Sequence, residues 1–89
     1  MKKLEYRNNW ESDEYYVMGE QIRDLKTVAI NEVFYPVTSR MVGVNYSDHG
    51  HVYTATSKHY FVTSKDLGVE VDLNILVRKN TIVAVDYEV

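Results

Sequence analysis

The sequence predicts a mainly β (α+β) fold: a small antiparallel, strongly curled sheet or five-stranded barrel with one short N-terminal helix. Three observations lead there. Apolar and polar residues alternate over most of residues 27–89, the period of a strand with one face on a core. Turn residues interrupt that alternation at short intervals, as at Asp48-His49-Gly50. Residues 12–25 show the three- and four-residue spacing of a short helix. Short strands joined by tight turns suit a curled sheet or barrel, and closure would protect the sheet edges.

The elements follow in order. In residues 12–25, Ser12 can cap a helix and Asp13 and Glu14 would sit in its first turn, where the helix dipole favours negative charge. Tyr15, Met18, Ile22 and Leu25 then form one apolar stripe. Gly19 argues against this by about 1 kcal/mol relative to alanine. The rival reading is a strand, Tyr15-Tyr16-Val17-Met18, ending at Gly19. From Thr27 the period becomes two, predicting a strand over 27–35, with an edge or bend at Pro36 because proline cannot donate to a ladder. Val42, Val44 and Tyr46 share the face of the next strand. Ser47-Asp48-His49-Gly50 reads as a hairpin turn before His51-Val52-Tyr53-Thr54-Ala55, and Ser57-Lys58 is a softer interruption before His59-Tyr60-Phe61-Val62-Thr63. The cleanest alternation is Val69, Val71, Leu73, Ile75 and Val77 against Glu70, Asp72 and Asn74. This predicts a strand over 69–77, paired antiparallel with Val83–Val89 across a turn at Arg78-Lys79-Asn80.

Composition bounds the function. Eighty-nine residues fit one domain, 1–89, which buries roughly 60–65% of its unfolded surface. Hydrophobic content of 45% is that of a folded chain and not of a disordered one. No apolar run approaches the ~20 residues of a membrane span. Met1-Lys2-Lys3 is not followed by the apolar stretch of a secretory signal. There is no cysteine, so neither a disulfide nor a thiolate metal site can form. A cytoplasmic protein is expected. A formal net charge of −3 gives no basic footprint for nucleic acid.

The aromatic strand Tyr60-Phe61-Val62, then Lys65-Asp66-Leu67-Gly68, then Val69-Glu70-Val71-Asp72 leading into Leu73 to Val77, a short turn, and Thr81-Ile82-Val83-Ala84-Val85 resemble the C-terminal half of small SH3-like β-barrels. That family places a Val-Gly-Asp turn before the apolar strand. Here no glycine immediately precedes Asp72, and the nearest is Gly68. Phage-encoded accessory proteins and some replication-associated DNA-binding domains share this rhythm. The resemblance implies a barrel, and its phage setting would place the chain in the cytoplasm of a bacterial host.

Candidate chemistry concentrates in Tyr46 to Phe61, which holds all three histidines. His49 and His51 could chelate a metal with Asp48 or His59 added, but Gly50 marks the turn between them, so they should not share a strand face. No metal and no cofactor is expected. Ser47, Asp48, His49 and Tyr46 or Tyr53 are neighbours in sequence, which is not a convergent acid–base site. No enzyme activity is expected. Tyr46, Tyr53 and Tyr60 offer contact area on the hairpin, and Glu70, Asp72, Asp86 and Glu88 would form an acidic outer face. The sequence therefore points to a non-enzymatic interaction module. It would bind and modulate a host protein through Tyr46, Asp48, His49, His51, Tyr53, Tyr60, Glu70, Asp72, Asp86 and Glu88. The alternatives are a barrel that binds single-stranded nucleic acid by stacking, and a homo-oligomer with a small-ligand pocket between subunits.

Overall fold

A computed structural model describes residues 2–7, 12–79 and 83–85. It is mainly β with one short helix. The elements are β1 (Lys2–Arg7), β2 (Glu14–Val17), β3 (Glu20–Ile22), β4 (Thr27–Ile30), β5 (Val33–Asp48), β6 (His51–Ser64), β7 (Gly68–Asp72), α1 (Leu73–Arg78) and β8 (Val83–Val85). Every ladder is antiparallel, in the order β3-β2-β1-β8-β4-β5-β6-β7. Among the described residues there are eight strands, not five, and the two ends of the order do not pair with each other. An isolated parallel bridge joins Ser12 to Lys58, where the Asp13 N–H donates to the Lys58 carbonyl at 2.9 Å.

Three hairpins turn in the same way. Met18 and Gly19, Asn31 and Glu32, and His49 and Gly50 each take positive φ in succession. Two consecutive positive φ values define the two-residue turn whose twist matches that of paired strands. The first of these turns removes the expected N-terminal helix over 12–25. Tyr15 and Val17 alternate inward at 1% and 0% exposure while Met18, assigned to the helical stripe, is exposed at the turn. The strand reading ending at Gly19 is the correct one, with Val17 opposite Glu20 and Tyr15 opposite Ile22. The second turn splits the expected strand over 27–35 at Asn31-Glu32, so Ile30 pairs with Val33. Pro36 sits opposite Thr27 without bending the strand out of the ladder, because the Val37 N–H reaches the Lys26 carbonyl at 2.8 Å. The third is the hairpin anticipated at Asp48 to His51, which pair with each other. Ser57-Lys58 does not interrupt β6.

The expected strand over 69–77 is half strand and half helix. Asp72 ends β7, and its carboxylate accepts from the Asn74 N–H at 3.3 Å, capping α1. Leu73 is then fully buried, and Leu76 and Val77 pack beside it at helical spacing. Val69 and Ile75, placed on the inner face by alternation, are exposed. Nor does this segment pair with Val83–Val85, the part of the expected partner strand that lies within the described residues. β7 pairs with β6, and β8 lies between β1 and β4.

The core comprises Leu4, Tyr15, Val17, Leu25, Val28, Ile30, Val37, Tyr60, Val62 and Leu73. Burial of each large aliphatic contributes about 1.5–3 kcal/mol. No described helix is long and apolar enough to cross a membrane. β5 and β6 extend well beyond this core. Among the described residues, 42–57 have only each other as ladder partners. They form a two-stranded arm on a molecule whose longest dimension is 45 Å.

Glu32 is exposed and holds φ 67° with a side chain that disfavours it. Glu32→Gly turns Asn31-Glu32 into Asn-Gly, the favoured pair for this turn. Urea unfolding should show a gain of about 0.5–1 kcal/mol. A loss of stability would contradict the turn geometry.

Candidate functional site

Two features stand out from the core: the arm surface and a buried polar cluster at its base. Register decides the faces of the arm. Val42, Val44, Tyr46 and Asp48 on β5 lie opposite Ser57, Ala55, Tyr53 and His51 on β6. By strand alternation these eight share one face, and His59 and Phe61 continue it toward the base. Tyr46 and Tyr53 stack across the strands with centroids 5.4 Å apart and planes 24° apart, and both remain more than two-fifths exposed. The His51 ring lies 6.4 Å from Tyr53. On the opposite face, Thr54 donates to Asn45 at 3.0 Å. His49 stands in the turn with Nε2 3.4 Å from Asp48, both in solvent. His49 lies in the turn and His51 begins β6, and Ser47, Asp48, His49 and His51 are all exposed at the tip.

Several expected contact residues lie elsewhere. Tyr60 is a core residue at 5% exposure, its ring edge-on to Tyr15 at 5.2 Å. Alternation sends it to the opposite face of β6 from Tyr53. Glu70 is exposed, but Arg40 grips it with both guanidinium nitrogens, at 2.8 and 2.5 Å. That pairing holds the Glu70 carboxyl below the usual range and raises the Arg40 pKa. Arg40 also lies flat on Phe61, 3.7 Å from the ring centroid. Asp72 is turned to its own helix and to His59 and does not project outward. The anticipated acidic face thus has no unmatched charge at Glu70 and none aimed outward at Asp72. Asp86 and Glu88 lie outside the described residues.

The cluster is assembled by pairing across the sheet. The Asp13–Lys58 backbone bond sets Asp13 beside His59. Phe61 pairs with Asp72, and His59, two residues from Phe61, faces the same side. The Asp13 side chain is 3% exposed. Its Oδ1 accepts from the Tyr6 hydroxyl at 2.8 Å. His59 Nδ1 stands 3.1 Å from Asp13 Oδ2 and 3.8 Å from Asp72 Oδ2. The approach to Asp13 is out of line for a hydrogen bond, so Oδ2 is left without a hydrogen-bond partner, as are His59 Nε2 and the Tyr15 hydroxyl. Burial raises the Asp72 carboxyl, and Asp13 adds to that rise. Burial, then the Asp13 hydrogen bond, pushes the Tyr6 hydroxyl up to about 12. Tyr15 is driven higher by burial and then by Asp13 and Asp72. Asp13, His59 and Asp72 each offer one ligand atom, all within 4.8 Å of one another. They could hold a cation.

No protein family, curated protein or solved structure matches the chain. The site readings therefore rest on geometry alone.

The two tyrosines beside Asp13 should respond oppositely to loss of the hydroxyl. Tyr6→Phe strips a buried carboxylate of its donor and should cost about 2 kcal/mol in urea unfolding. Tyr15→Phe removes a buried hydroxyl that bonds to nothing and should be neutral or stabilising. Equal losses in the two variants would refute this account of the cluster.

Proposed function

We propose that the chain is a non-enzymatic interaction module, of the phage accessory type, that binds and modulates a host protein in the bacterial cytoplasm. The observation that carries the reading is the arm. From Gly43 to Thr56 no residue is buried, yet one face holds Val42, Val44, Ala55 and the stacked Tyr46–Tyr53 pair. A two-stranded ribbon that serves only to connect strands has no use for such a face. Tyrosine supplies rigid contact area at low entropic cost and is enriched at contact centres. Asp48, His49 and His51 would rim this patch at the tip. The contact is aromatic more than acidic, since Arg40 balances Glu70 and Asp72 faces His59.

A strongly curled, SH3-like sheet belongs to the same proposal. Its support is the Ser12–Lys58 bridge. That bridge brings the segment before β2 back to β6, five places away in the strand order.

Affinity capture from a bacterial lysate at low salt tests the reading. The native chain should retain one dominant protein. Tyr46→Ala with Tyr53→Ala should cut retention by roughly 30-fold, the effect of losing about 2 kcal/mol of contact energy, while circular dichroism stays native. Retention unchanged by the double substitution, or no retained protein, would overturn it. Recovery of oligonucleotides in place of protein would move the assignment to single-strand binding.

A further inference from the structure

We propose that Asp13, His59 and Asp72 form a binding site for one divalent transition-metal ion of the zinc type. The donor set suits such an ion, because imidazole nitrogen and carboxylate oxygen are its usual ligands besides thiolate. The spacing suits it as well. Two atoms each about 2.1 Å from a tetrahedral centre lie about 3.4 Å apart. His59 Nδ1 stands 3.1 Å from Asp13 Oδ2 and 3.8 Å from Asp72 Oδ2, so both separations bracket that value.

A second observation points to a ligand independently. Asp13 is 5% exposed and Tyr15 1%, yet Asp13 Oδ2 and the Tyr15 hydroxyl have no hydrogen-bond partner. Tyr15 lies close enough to Asp13 and Asp72 for their charges to act on its hydroxyl. Buried polar atoms in a folded protein are almost always satisfied, and a buried carboxylate oxygen left without a hydrogen-bond partner within this donor set marks a place where something else binds. A metal ion on Oδ2 would satisfy Asp13. The nearby protein cations are already engaged. Arg40 is held by Glu70 and Phe61, and Arg78 lies over the Tyr6 ring at 5.1 Å. Among the described residues, His59 stands between the two carboxylates. The two other histidines, His49 and His51, lie at the far end of the arm.

The ion would tie together three pieces of chain: the segment before β2, the middle of β6, and the β7–α1 junction. Binding should therefore stabilise the fold.

The test is calorimetric titration of the full chain, stripped with a chelator, with zinc chloride. One equivalent should bind with micromolar or tighter affinity, and the melting temperature should rise with zinc. Asp72→Asn keeps a side chain able to cap α1 and should weaken binding by about tenfold or more. If that variant is unfolded by circular dichroism, His59→Gln takes its place. His49→Gln with His51→Gln should bind as the native chain does. No heat and no melting shift at micromolar zinc would overturn the proposal. So would native affinity in Asp72→Asn or His59→Gln, or loss of binding in the His49/His51 variant, which would place the ion at the arm tip.

Discussion

The hydrogen bond from the Asp13 N–H to the Lys58 carbonyl joins two parts of the chain that no hairpin connects. With it in place, the β1–β2 pair lies against β6. Tyr15 can then set its ring on Tyr60, and Leu4 and Val17 can share a core with Val37 and Val62. The same bond draws the Asp13 side chain into the interior, where a carboxylate must be matched. Tyr6 answers one of its oxygens and His59 approaches the other. Closing the core and creating a buried polar cluster are thus one event. A hydrophobic residue at position 13 could make the same backbone bond without desolvating a charge. The aspartate is therefore a cost to folding that packing alone does not explain.

A second constraint is conformational. Three hairpins are closed by paired residues of positive φ, so the strands they join stay in direct register. In β5–β6 that register runs without a slip from Val37–Val62 to Asp48–His51. This puts Tyr46 against Tyr53 and keeps the valines on their side. A ribbon of two strands is only marginally stable by itself. Here the tyrosine stack and the Asn45–Thr54 hydrogen bond lie on opposite faces and support it from both sides.

Local chemistry made part of this legible in the sequence. The β-rich class, the Asp48-to-His51 turn and the shared face of Val42, Val44 and Tyr46 all follow from period and turn residues within a few positions. Residues 69–77 misled because they satisfy two periods together. Val69, Val71, Leu73, Ile75 and Val77 alternate, while Leu73, Leu76 and Val77 also sit at helical spacing. Asp72 decides between them as a cap, and an aspartate looks the same whether it caps a helix or faces water from a strand. Residues 12–25 misled for the converse reason. Met18 fits a helical stripe, yet with Gly19 it forms a turn. The Asp13–His59–Asp72 cluster had no local signal at all. Its members are spread along the chain and meet only through two long-range strand contacts.

The length of the arm has a further consequence. Its outer half supplies nothing to the core, so its side chains answer to the ribbon and to whatever they touch, and hardly to the rest of the fold. Substitutions there can change the surface of the arm while leaving the body intact. The molecule is in effect a fixed handle with an interchangeable blade, open to rapid divergence in nature and to grafted binding sequences in the laboratory.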